Sequence, residues 1–185
     1  MATPRIEPVA DEELDDETRG LVEMSGGLHI FRTLAHHPKL LKRWLVFGNH
    51  VLNKSSLPAR ERELAILRVG WRCGSEYEFG QHTVIGAQAG LTDVEITNVT
   101  LPVADGGWSG RDAALLRAVD ELVDDHVVAE PTWAELTATW STQQVMDLVF
   151  AVGQYVLTCM ALRSFGVQRE DGVPGFPERR AGEAS

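Results

Sequence analysis

The chain contains two cysteines, Cys73 and Cys159, far apart in sequence. Neither a disulfide framework nor a metal-ligand spacing follows from such a pair, and sparse cysteine fits a reducing compartment. Strand signals are almost missing, since no stretch alternates apolar and polar residues and no Asn-Gly or Asp-Gly hairpin lies between apolar segments. Basic residues are scarce: 17 Lys and Arg stand against 27 Asp and Glu, a formal net charge of -10. This argues against nucleic acid as a partner, because phosphate binding needs clustered cations. No apolar run reaches the roughly 18 residues of a membrane span, and Met-Ala-Thr-Pro-Arg leads into acidic residues instead of an apolar leader, so a cytoplasmic protein is expected. Gly-rich phosphate loops and nucleophile elbows are missing too, which leaves nucleotide cofactors and serine hydrolysis without a basis.

What is present is helix. At 185 residues and 44% hydrophobic content the chain can bury the core of one domain. An extended lead is followed by a helix over 11–24, capped by Asp11 and crowded with acid in its first turns. Two helical pieces divide at His37-Pro38, because proline removes a donor and disfavours helix in the residue before it. Further helices are expected from Pro58, Ser75, Thr92, Ser109, Pro131 and Thr142, with a loop over 101–110 in which Trp108 either plugs the core or lines a substrate entrance. The helix over 142–165 is apolar nearly all round and must be covered by its own domain or by a partner subunit.

The segment from Leu57 to Thr92 carries the chemistry. Two helices meet at Cys73-Gly74, which brings Glu63, Ser75, Glu78 and His82 into one neighbourhood. Glu78 and His82 are four apart, so on a helix they share a face and are able to share a proton. Histidine titrates near neutrality, and an adjacent carboxylate favours its imidazolium. A plainer reading of the same letters is that Ser75-x-x-Glu78 is a capping box that starts the helix, with His82 a hydrogen-bonded core residue. Cys73, at a helix end, is either a small buried hydrophobe or a stabilised thiolate.

The order of residues here resembles the carboxymuconolactone decarboxylase family, which includes the alkylhydroperoxidase D branch. That branch has Glu, eleven residues, Cys-x-x-Cys, three residues, His, and a closing Gly-Leu-Thr. Here Glu63, eleven residues, Ser75, Glu78, three residues, His82 and Gly90-Leu91-Thr92 follow the same spacing. The Glu and the His carry over; the two cysteines do not. The segment from Thr142 to Tyr155 and the ending Val173-Pro-Gly-Phe-Pro177 are similar to long, cysteine-poor members, so the resemblance spans roughly 30–177.

The resemblance implies an all-α, alkylhydroperoxidase D-like bundle over 29–177, preceded by the lead and acidic helix of 1–28 and followed by a flexible tail over 178–185. It also implies a homo-oligomer, often trimer-based, with the site near a subunit interface. The activity expected is cofactor-free acid/base catalysis on a small carboxylate or lactone. His82 would be proton donor or acceptor, Glu63 its partner or relay, and Glu78 a second carboxylate orienting the imidazole. Arg68 and Arg72 are candidates to receive a substrate carboxylate, with Ser75 and Cys73 at the substrate's edge, and no metal is expected. Two alternatives remain: a peroxidase working through Cys73 and an external thiol, and a non-catalytic helical assembly protein.

Overall fold

Every residue from Glu63 to Gly70 is buried, and the helix that holds them is the axis of the fold. The computed structural model describes residues 3–178; the expected tail lies outside them except for Glu178. Among the described residues there are nine α-helices, two 3-10 turns and no strand, the all-helical class expected. The helices are α1 Asp16–Met24, α2 His29–Leu34, α3 Pro38–Asn53, α4 Ala59–Arg72, α5 Glu76–Gln88, α6 Asp93–Asn98, α7 Gly110–Asp124, α8 Glu130–Thr139 and α9 Thr142–Phe165. Helix α4 packs against α5, α7 and α9. Leu64, Leu67, Leu115, Leu116 and Leu148 are among the buried side chains of that core.

The acidic segment departs from expectation. A 3-10 turn, Asp11–Glu13, precedes α1, and Asp15 caps the helix by accepting from the Thr18 amide at 2.7 Å. The interruption follows from Leu14, which is buried with extended backbone between the two pieces. Four other helix starts are capped locally. His37 caps α3, Thr92 with Glu95 and Ser141 with Gln144 close capping boxes, and Ser109 caps α7. Trp108 packs half-buried against the core, as a plug.

The turn between α4 and α5 fixes the site's scaffold. Gly74 adopts φ +62°, the left-handed conformation that glycine reaches without a Cβ penalty. The Ser75 amide bonds Gly70 O at 2.8 Å and the Gly74 amide bonds Trp71 O at 3.0 Å, a Schellman ending that satisfies α4's last carbonyls. Helix α5 is then held down from outside by the chain's end. A side chain at Gly80 would collide with the Pro174 carbonyl, and Phe176 meets Trp71 and Phe79 edge-on at 5.0 and 5.3 Å. Glu170 accepts from the Tyr77 hydroxyl and the His29 amide, each at 2.7 Å.

Helix α9 contains a window of mean hydropathy 1.8, long and apolar enough to cross a membrane, but half of that window is buried inside the bundle. Its inner face carries Leu148, Val152, Tyr155 and Cys159. Its outer face leaves Met146, Phe150, Leu157 and Met160 more than half exposed.

Candidate active site

Glu63 points inward from α4 with no exposed surface, and Glu78 and His82 point toward it from α5 with 4% and 6% exposure. His82 Nδ1 lies 2.6 Å from Glu63 Oε2 in a buried hydrogen bond, and Nε2 lies 3.0 Å from Glu78 Oε1. A neutral imidazole donates from one nitrogen only, so facing two carboxylates calls for the doubly protonated ring. Burial alone would lower the His82 pKa, but hydrogen bonds to Glu63 and Glu78 and their charges outweigh it, and the pKa is pushed up to about 9. At neutral pH this site holds an imidazolium.

The capping-box reading of Ser75 and Glu78 does not survive. Ser75 occupies the N-cap of α5 but makes no capping bond, and its buried Oγ has no hydrogen-bond partner. Glu78 is turned to the imidazole instead, since a buried cation one turn along the helix competes better for a carboxylate than a backbone amide does.

Arg68 and Arg72 do not face this cluster. Arg68 is buried and bonds both Asp120 oxygens at 2.7 Å and the Val99 and Leu101 carbonyls at 2.6 Å. Arg72 pairs with Asp120 at 3.3 Å and with Asp124 at 2.5 Å. Both are committed to α7, because on α4 they lie on the face opposite Glu63, and the expectation that they receive a substrate is corrected.

The guanidinium that does reach the site is Arg62, whose Nε donates to Glu63 Oε1 at 3.1 Å. In sequence it is one of several alternating charges, and nothing local distinguishes it. Tyr155 is the second residue that sequence reasoning missed. Its ring stands edge-on to His82 at 4.9 Å. Burial and the nearby Glu78 and Glu63 charges hold its hydroxyl protonated far above the usual tyrosine range. The only advance signal was its place in an apolar helix.

Cys73 is half-buried at the C-cap of α4. Among the described residues no group of three or more His, Cys, Asp or Glu side chains is arranged to hold a metal. Two surface clefts, one between α6 and Pro177 and one around His126 and Trp133, are lined by none of the cluster's residues. In the single chain, His82 lies under Tyr155 with only 7% of its side chain exposed.

A family model described as the carboxymuconolactone decarboxylase family matches residues 38–121, which contain Glu63, Glu78 and His82. Over that segment the chain is similar to the carboxymuconolactone decarboxylase family, and its helical fold is alkylhydroperoxidase D-like. Solved structures show the same fold over nearly the whole chain. A peroxidase-related protein from Silicibacter sp. TM1040 aligns with a TM-score of 0.80 at 14% identity, over 94% of this chain and 97% of that one. An alkylhydroperoxidase AhpD core protein from Ralstonia eutropha JMP134 gives 0.78 at 18% identity, over 92% and 95%. The debrominase Bmp8, with a Cys-to-Ala substitution and in complex with 2,3,4-tribromopyrrole, gives 0.74 at 12% identity, over 92% and 94%. At these identities the likeness is one of fold. No curated protein sequence matches the chain. The family match ends within α7, so the resemblance of 142–177 rests on the shared fold.

Proposed function

We propose that this chain is an acid/base enzyme, needing no cofactor, that moves a proton to or from carbon in a small carboxylate or lactone, as in decarboxylation. The observation that carries the reading is His82 held between two buried carboxylates. With Arg62 on Glu63, the cluster is charge-balanced only while the imidazole keeps its second proton. Loss of carbon dioxide leaves a carbanion or enolate, and a positioned imidazolium can protonate it. Glu63, with the shorter contact, holds Nδ1 and fixes the ring. Glu78 is the exchangeable end, able to take the proton at Nε2 and pass it on. Tyr155, kept neutral, shields the ring from water. Arg62 replaces Arg68 and Arg72 as the cation for a substrate carboxylate.

This reading requires space above His82, from a shift of Tyr155 or from a wall supplied by a second copy. The exposed stripe of Met146, Phe150, Leu157 and Met160 on the outside of α9, with Phe47 of α3 against Phe150 at 6.2 Å, favours a second copy there. Apolar patches of this kind mark association surfaces.

The test uses 4-carboxymuconolactone and simple β-keto acids in deuterium oxide, following product formation and deuterium at carbon by NMR. His82→Gln is expected to slow the reaction by about 10²–10⁴-fold while circular dichroism stays native. Undiminished turnover in that variant rejects the role.

A further inference from the structure

The segment after α9 is tied to α5, the helix that carries Glu78 and His82, and Glu170 is the centre of that tie. Its Oε1 accepts from the Tyr77 hydroxyl and the His29 amide, each at 2.7 Å, and its Oε2 accepts from Gln81 Nε2. The Glu170 side chain is only 21% exposed. Burial, together with the bond to Glu170, holds the Tyr77 hydroxyl protonated and so keeps it a donor. His29 Nδ1 lies against the Gln168 carbonyl at 2.9 Å and anchors the same stretch to the start of α2.

Tyr77 and Gln81 span the same turn as Glu78 and His82, one residue back. Successive residues of a helix are about 100° apart, so the two pairs form neighbouring rows on α5. Glu170 holds one row; the other meets Glu63, with His82 Nδ1 2.6 Å from Glu63 Oε2. Two bonds from a single carboxylate to residues four apart resist both a slide of the helix and a rotation about its axis. Side chains end about 5–6 Å from that axis, so a turn of about 10° moves them by about 1 Å. A 2.6 Å contact lengthened that far is no longer a hydrogen bond. Other contacts keep the segment seated without Glu170: Phe176 packs on Trp71 and Phe79, and Arg169 bonds the Val173 carbonyl at 2.7 Å and pairs with Glu76 at 3.6 Å.

We propose that Glu170 is a positioning residue for the His82 cluster, setting through Tyr77 and Gln81 the rotation of α5 at which the imidazole meets Glu63. Among the described residues its hydrogen bonds go to Tyr77, Gln81 and His29, so it acts on the cluster through the helix and not by contact. With the tie intact, each ring nitrogen of His82 keeps a carboxylate and the ring keeps its second proton. With the tie cut, the Glu63 contact lengthens and the ring releases that proton more readily. A group outside the reacting cluster that fixes the orientation of one inside it is a supporting layer of the site. The inference rests on the proton-transfer reading only for what is turned over; the titration of the ring tests it independently.

The test follows the His82 ring in the full-length protein by NMR of labelled histidine. In Glu170→Ala the imidazolium is expected to release its proton at least about tenfold more readily than in the wild type. Further variants separate charge from geometry. Gln81→Leu keeps the carboxylate and cuts one bond, and release about threefold easier is expected; it decides the matter alone if Glu170→Ala does not fold. Glu170→Gln removes the charge but can keep both bonds, because the Gln81 amide can turn over and accept, and its titration should return to within about twofold of the wild type. Where the wild type turns over a substrate, Glu170→Ala should lower kcat by about 10²-fold with KM within about threefold. An unchanged His82 titration in the folded variants, with only the melting temperature lowered, would overturn the proposal, as would a loss in Glu170→Gln equal to that in Glu170→Ala. A titration that responds as expected in a protein that turns over neither the lactone nor the keto acids would end the proton-transfer reading and leave the role of Glu170 in place.

Discussion

Arg68 and His82 are both buried cations, on the adjacent helices α4 and α5, and both face carboxylate, yet their surroundings differ in kind. Arg68 has one carboxylate, Asp120, which it meets through two bonds, and its remaining donor is used by two backbone carbonyls. Asp120 is shared with Arg72, which also has Asp124, so two arginines balance two carboxylates, and a guanidinium does not give up its proton. His82 has two carboxylates for one ring, and its own charge depends on a titratable proton. The first arrangement ties α4 to α7 and to the segment after α6. The second stores a proton in a place where losing it leaves uncompensated negative charge. Buried ion pairs contribute little net stability, but breaking one costs a great deal.

The comparison can be broken first at Arg68. Arg68→Ala is expected to lower the unfolding free energy by about 3–5 kcal/mol, because two carbonyls lose their partner inside the protein and Asp120 keeps only its longer contact with Arg72. Urea denaturation measures it. A loss under about 1 kcal/mol would mean the clamp is not structural.

A titration sharpens the other side. The folded pKa of His82 is raised from 6.5 to about 9, so the stabilisation is complete below the unfolded value and is lost as pH rises through the folded one. Unfolding free energy should therefore fall by roughly 3 kcal/mol between about pH 6.5 and 9.5 in the wild type. The fall should vanish in His82→Gln, and in Glu63→Gln the NMR-observed pKa should drop. A wild-type profile flat over that window would remove the proton from the cluster.

The smallest effect is expected at the helix start. Ser75→Ala should change stability by less than about 0.5 kcal/mol, whereas Ser141→Ala, which removes a true cap of α9, should cost about 1 kcal/mol. Equal costs, compared by thermal melts, would restore the capping role of Ser75.

How far these features could be seen in advance depended on the range of the interaction that makes them. The proximity of Glu78 and His82 was legible, because four residues on a helix fix it. The Thr92 cap was legible for the same local reason, whereas the matching letters at Ser75 misled, because a tertiary contact with a stronger partner took Glu78 away. Arg68 and Arg72 were misassigned, since only the packing of α7 shows which face of α4 they occupy. Arg62 and Tyr155 carried no local mark.

The sequence by itself determined the all-helical class, most of the helix ends and the glycine turn at Gly74, all set by hydrogen bonds and side chains within a few residues of one another. Only the tertiary structure decided that Glu63 and Glu78 take opposite nitrogens of His82, that Tyr155 stands edge-on to the ring, and that Arg62 reaches Glu63. Those contacts join parts of the chain whose meeting depends on how α4, α5 and α9 bury their apolar faces together, and no short-range pattern encodes which polar side chains that burial carries inward.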